Sequence, residues 1–215
     1  MAAPETRQKI LDAALDLFRE RGFDAATMRD IAARAGVATG LAYYYFASKD
    51  AIVLAFYQRT KDALPSMLLR AQQERTLAKR LHAMITAKLE YFSHDRAFLG
   101  ALLAHAADPA NPLSPFNDSS REIREADYAH FDRALRETGT RVPKDLESHL
   151  GKMLWFFQMG VLLFWIYDRS PQQKRTLRLL DASVPVVVTL IKLAGLPIFK
   201  PARKSVLNII AVLES

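Results

Sequence analysis

Residues 27–46 read Thr27-Met-Arg-Asp-Ile-Ala-Ala-Arg-Ala-Gly-Val-Ala-Thr-Gly-Leu-Ala-Tyr-Tyr-Tyr-Phe46. Thr27 is placed to cap a short helix, its hydroxyl accepting an orphan backbone N–H near Asp30. Gly36 closes that helix after two turns, and a second short helix covers about Thr39 to Tyr45. Helix, tight turn and helix in this spacing make a helix-turn-helix. Ile31, Ala32, Ala35 and Val37 pack the two helices at a steep angle, with small alanines permitting close approach. The second helix can then project into a major groove.

Upstream, Ile10, Leu11, Ala14, Leu15 and Phe18 recur at helical spacing and form one face of a first helix. Gly22 can end it in the left-handed conformation, with Phe23 as the apolar residue that follows. Downstream, Ser48 caps a fourth helix that carries Lys49, Asp50, Ile52, Val53, Phe56 and Tyr57 in its first turns. Taken in order, the pieces are Ile10-Leu-Asp-Ala-Ala, Leu17-Phe18, Arg21-Gly22-Phe23, Thr27-x-x-Asp30-Ile31-Ala32, Ala35-Gly36-Val37, Gly40, Tyr43-Tyr44-x-Phe46 and Ser48-Lys49-Asp50. From Thr6 to about Tyr57 this order resembles the DNA-binding domain of the TetR family of one-component transcriptional regulators.

The resemblance implies that Thr39, Gly40, Leu41, Tyr43 and Tyr44 lie on or beside the recognition-helix surface. It implies that Thr27 and Arg29 touch the DNA backbone at the start of the preceding helix, and that Lys49 contacts a phosphate at the positive end of the fourth helix. Two departures bear on specificity. The family commonly has Ser and Lys where this chain has Ala38 and Thr39, and a hydroxyl residue where it has Leu41. Leu41 offers only apolar contact, for example to a thymine methyl, so the operator sequence does not transfer from relatives.

The chain has 215 residues, half of them hydrophobic, with only 8 glycines and 10 prolines and no useful strand alternation. An all-α protein of two domains follows, with a helix-turn-helix domain at 5–64, and the resemblance implies that 65–215 is a larger helical ligand-binding and dimerisation domain. Pro65 falls inside a helical pattern that otherwise runs to about Gln73, so a kink or break is expected there. Further helices are expected at about Leu77 to Ser93, Ala97 to Ala106, Ser119 to Glu137, Lys144 to Asp168 and Gln172 to Leu193. Gly139 and Gly195 serve as C-terminal caps, and Pro185 kinks or divides the last long helix. Three prolines make residues 108–115 irregular, and the tail ends in a short helix bearing Val206, Leu207, Ile209, Ile210, Val212 and Leu213.

The helix from Lys144 is apolar almost all round and must be covered on every side. One face meets its own domain and the other a second subunit. The last long helix is its companion in a four-helix interface formed by Phe157, Gly160, Phe164, Val184, Val188 and Ile191. A homodimer can hold two recognition helices about 34–36 Å apart, the separation of operator half-sites. A pocket for an apolar or aromatic effector fits between the middle helices, lined by Met84, Phe92, Phe98, Leu102, Phe131, Trp155 and Met159.

Cysteine is absent, which excludes a disulfide framework, a thiolate zinc site and a cysteine nucleophile. The five histidines have no metal-ligand spacing, and no metal or other cofactor is expected. No serine sits in a recognisable nucleophile turn, so no enzyme is expected. The N-terminus lacks the apolar core of a secretory signal, and the apolar stretch from Met153 to Tyr167 is shorter than the roughly 20 residues of a spanning helix. A cytoplasmic protein without a membrane partner is expected. The functional expectation is a ligand-released homodimeric repressor on double-stranded DNA, with an activator of the same family, or a membrane-surface helical protein, as the alternatives.

Net charge is +7, yet residues 1–50 carry 7 basic and 7 acidic side chains, while 169–204 carry 8 basic and 1 acidic. DNA binding therefore rests on pattern, not on charge, and the basic surplus belongs to the distal segment.

Overall fold

In a computed structural model of the chain, residues 3–106, 108 and 110–214 are described, with the side chains of all but 104–106 and 210–214. Some residues of the sequence expectations fall outside this set: Pro109 in the irregular loop, the His105 side chain, and the Ile210, Val212 and Leu213 side chains. The described residues contain eleven α-helices and no strand. They are α1 (Ala3–Arg21), α2 (Met28–Ala35), α3 (Thr39–Tyr45), α4 (Lys49–Met67), α5 (Leu69–Gln72) and α6 (Leu77–Tyr91). There follow α7 (Arg96–Ala106), α8 (Arg121–Glu137), α9 (Lys144–Tyr167), α10 (Lys174–Ala194) and α11 (Lys200–Glu214).

The chain divides into two compact units, Met1–Pro65 with Tyr91–Ala126, and Ser66–Glu90 with Asp127–Ser215. The first does not stop at residue 64, because α7 is built into it. Phe98 stacks on Phe18 at 5.2 Å and meets Phe56 edge-on at 5.6 Å. Asp95, buried just before α7, accepts from Arg19 Nε at 2.7 Å. The loop after α7 is tied in as well. Tyr57 donates its hydroxyl to the Leu113 carbonyl at 3.1 Å, and burial pushes that phenol above its ordinary range. Arg124 donates to the carbonyls of Pro115 and Asn117 at 2.8 and 2.7 Å.

The second unit packs Leu81, Met84, Ile85, Phe131, Leu150, Leu154, Trp155, Leu180 and Val184 into one apolar core. Within it Lys88 and Asp127 form a buried ion pair, and Gln158 Nε2 donates to the other Asp127 oxygen at 3.2 Å. The α9–α10 turn is organised by Asp168, which accepts from the Ser170 and Thr176 amides and from the Thr176 hydroxyl at 2.8–2.9 Å. Burial alone would raise this carboxyl. The hydrogen bonds from Ser170 and Thr176 outweigh it and hold Asp168 well below the usual carboxylate range.

Two helix expectations are refined by the backbone. α4 runs through Pro65 to Met67, and the interruption falls at Leu68, with φ −90° and ψ 1°. α10 is a single helix across Pro185. α9 has 24 residues, more than its apolar stretch, and by length and composition alone it could cross a membrane. Its stripe of Leu150, Leu154, Val161 and Trp165 is instead buried inside its own unit.

Candidate nucleic-acid interface

The platform is assembled from local signals. α1 buries Ile10, Leu11, Ala14, Leu15, Leu17 and Phe18 and stops at Gly22, whose φ of +85° suits a residue without Cβ. Thr27 and Asp30 form a reciprocal capping box at the start of α2. The Asp30 amide donates to the Thr27 hydroxyl at 3.2 Å, and the Thr27 amide donates to the Asp30 carboxylate at 3.1 Å. Gly36, at φ +63°, ends α2 in the left-handed conformation, and its amide turns back to Ala32 and Ala33. Ile31, Ala32, Ala35 and Ala42 are buried in the angle between α2 and α3.

That burial leaves the opposite face of α3 outward. Tyr44 is 79% exposed, Tyr43 51% and Leu41 39%, with Thr39 and Gly40 also exposed. Large apolar and aromatic groups are normally covered, so three together on a seven-residue helix mark a contact surface. Tyr45 is half-buried and packs edge-on against Tyr44 at 5.2 Å. Beside this face stand Thr27 and Arg29, both exposed. The Thr27 hydroxyl is already engaged, donating to Asp30 at 2.6 Å.

Lys49 also serves the fold. Its ammonium donates to the Phe23 and Asp24 carbonyls at 2.6 and 3.2 Å and lies 4.6 Å from the Phe23 ring centre. Two of its three donors thus fix the turn between α1 and α2, which leaves one for a phosphate. The Arg7 guanidinium lies 4.8 Å from the Phe46 ring centre.

Ala38 occupies the N-cap of α3 with an extended backbone, φ −66° and ψ 144°, and no side-chain cap. The geometry already suits a hydroxyl cap. Ala38→Ser is expected to stabilise the protein by about 1 kcal/mol, read as a higher Tm in thermal melts. An unchanged or lowered Tm would refute it.

The seven pocket candidates do not gather in one place. Phe92, Phe98 and Leu102 belong to the first unit, where Phe92 and Phe98 both pack on Phe56. Met84, Phe131, Trp155 and Met159 belong to the second. Met84 borders a void of about 10 Å³ with Arg80 and His130. A larger cavity of about 460 Å³ has a mixed lining, Leu135 and Val142 beside Asp132, Arg136, Lys144 and Glu147.

The interface candidates require a correction. Val184, Val188 and Ile191 face inward and are buried in their own unit, as expected for the i, i+4, i+7 stripe that also contains Leu180. The outward stripe of α10 is Leu179, Val186 and Leu190, the last two 57% and 60% exposed. On α9, Gly160 and Phe164 do face outward, together with Met153, Phe156, Leu163 and Tyr167, while Phe157 is half-buried. No neighbouring atom comes within 4 Å of where a Gly160 Cβ would stand. Nothing in the sequence separates the two stripes of α10, because both are apolar.

Residues 10–56 match the family model described as bacterial regulatory proteins, tetR family, and residues 80–206 match the model for a tetracyclin repressor-like C-terminal domain. The chain is 39% identical over 175 residues to the HTH-type transcriptional activator FasR of Mycolicibacterium smegmatis, a match covering 79% of this chain and 76% of that protein. It is 29% identical over 133 residues to the HTH-type transcriptional repressor BepR of Brucella suis biovar 1, covering 60% and 64%. Among solved structures, the transcriptional regulator FadR from Bacillus subtilis in complex with stearoyl-CoA shares the fold with a TM-score of 0.65. That match has 18% identity and covers 84% of this chain and 97% of that one.

Proposed function

This chain belongs to the TetR family of bacterial transcriptional regulators, and from that premise we propose that it acts as a homodimeric repressor released from its operator by a small apolar ligand. It is a DNA-binding transcriptional regulator by membership, and relatives carry both repressor and activator names. The observation that carries the DNA-binding site is the exposed Leu41–Tyr43–Tyr44 face of α3, held outward by the buried alanines behind it. Tyr43 and Tyr44 would give hydroxyls to phosphates or base edges, Leu41 an apolar contact, and Thr39 and Gly40 the close approach of the helix start. Arg29 would supply charge, with Thr27 and Lys49 in secondary roles.

We assign residues 5–64 to DNA reading and 65–215 to effector binding and dimerisation, with α7 as the part of the latter that packs on the reading helices. The effector pocket is assigned to the second unit, near Met84, Phe131, Trp155 and Met159. The stearoyl-CoA complex of a protein with the same fold supports an effector that carries a long apolar chain. Release follows from linkage: an effector weakens DNA binding only by preferring the non-binding state, and DNA weakens the effector by the same factor. A cytoplasmic location follows from a DNA target, and no enzymatic step, cofactor or membrane partner is part of this reading. The activator alternative concerns only the sign, which a reporter assay in a deletion strain reads directly.

Titration of the purified dimer against DNA from its own upstream region tests the proposal. Binding is expected to be salt-dependent with a modest slope, because the reading helices are electrically balanced. Arg29→Ala is expected to weaken binding at every sequence and to reduce the salt slope by about 1 for each phosphate left without its cation. No binding by folded protein at low salt would overturn it.

A further inference from the structure

The geometry points to a second ligand site, in the cavity between α9, α10 and α11, for a single-chain amphiphile with a carboxylate head. The cavity holds about 440 Å³, within the range of roughly 300–1,000 Å³ for small-molecule sites. Its walls include Leu150, Leu154 and Phe157 from α9, Val187 and Ile191 from α10, and Val206 from α11. The cavity opens to solvent beside Met153, Leu190 and Val206, and all of its lining but Arg203 is apolar, so an apolar occupant gains by taking that surface out of water. The lining of α9 extends from Leu146 to Phe157, roughly 16 Å of helix. α11 forms the third wall through Ala202 and Val206, and an elongated apolar space of this volume suits a flexible chain.

The head-group assignment rests on Arg203, the one charged residue among those lining the cavity. Its Nε donates to Asp145 at 2.7 Å and its Nη1 to the Ala194 carbonyl at 2.6 Å. A guanidinium has five N–H donors. These two bonds orient its plane, and the remaining donors can hold a carboxylate. Lys200 and Lys204 precede and follow Arg203 on the same helix, within the segment that carries the whole basic surplus and has no part in the DNA face.

Met153 and Leu190 line the cavity and also stand on the exposed apolar stripes of α9 and α10. A bound chain would thus be sensed at the surface assigned to subunit association. Only this consequence depends on the homodimer reading, and the site itself does not.

Calorimetric titration of the full chain with myristate and with 1-tetradecanol, both below their aggregation limits, tests the site. One myristate per chain is expected. Arg203→Gln should weaken myristate about tenfold or more, roughly 1.4 kcal/mol, and leave tetradecanol unchanged. Val187→Trp and Ala194→Phe, which fill the slot from two positions, should abolish both; circular dichroism shows that each remains helical. Absence of saturable myristate binding to the unaltered chain would overturn the proposal. So would unchanged myristate affinity in either folded slot-filling variant, or equal loss of acid and alcohol in Arg203→Gln. Operator binding by the ligand-free protein, measured on the same samples, reports separately on the regulator reading.

Discussion

Two charges placed on the outward apolar stripes, Leu163→Glu with Val186→Glu, are expected to yield a folded monomer that no longer holds its operator. Both side chains are exposed, so their replacement touches no core packing and should cost the subunit no more than about 0.5 kcal/mol each. The surface they interrupt carries Phe156, Leu163, Phe164 and Tyr167 on α9 and Leu179, Val186 and Leu190 on α10, and large apolar side chains exposed together mark an association face. Two glutamates on each subunit would bring four carboxylates into a symmetric interface and bury them without partners. The functional loss follows from geometry. Two half-sites bound together gain about 10²- to 10⁴-fold over one, and a monomer forfeits that factor. Sedimentation should show one species of monomer mass, and operator titration a weakening of at least about 10²-fold. A dimer that survives both charges, or a monomer that binds with unchanged affinity, would show that the subunits associate elsewhere.

The same two helices mark the limit of what the sequence discloses. A cap or a stop is local: Thr27 with Asp30, Gly22, Gly36 and Ser48 each act within about one turn, and their helices begin and end where the residues indicate. The exposed face of α3 is likewise readable, since buried Ala42 and Phe46 leave Leu41, Tyr43 and Tyr44 on the other side. Long-range partners are another matter. The attachment of α7 to the first unit depends on Phe18, Phe56 and Phe98 meeting, and on Arg19 reaching Asp95, pairs far apart in the chain with no periodicity to announce them. Lys49 reads as a phosphate ligand in the sequence, and only folding brings the carbonyls of Phe23 and Asp24 within its reach. On α10 the inward and outward stripes are both built of Leu and Val, so hydrophobic spacing fixes the helix but not its rotation.

Asp127→Ala is expected to be strongly destabilising, costing about 3–5 kcal/mol, or roughly 6–20 °C in Tm for a chain of this size. Lys88 and Asp127 pair inside the core, and the Lys88 ammonium lies 5.4 Å from the Phe131 ring centre. Removing the carboxylate strands a buried cation and also takes the partner of Gln158 Nε2, whose Oε1 already lacks one. Replacing both charges, Lys88→Met with Asp127→Leu, should recover most of the loss, because the desolvation cost disappears with the ions. The pH response separates this from simple cavity formation. Burial lowers the Lys88 ammonium below its ordinary range, and Asp127 opposes that shift. Between its folded value and the ordinary lysine value near 10.4, the unfolded chain binds a proton that the folded chain does not, so stability rises with pH across that window. Without Asp127 the folded value drops further and the window extends to lower pH. Asp127→Ala should therefore gain stability relative to the unaltered protein as pH is raised, while the double variant should show no such gain. A variant whose deficit is the same at every pH would mean that Lys88 finds another partner, and that the pair is not what holds this part of the core.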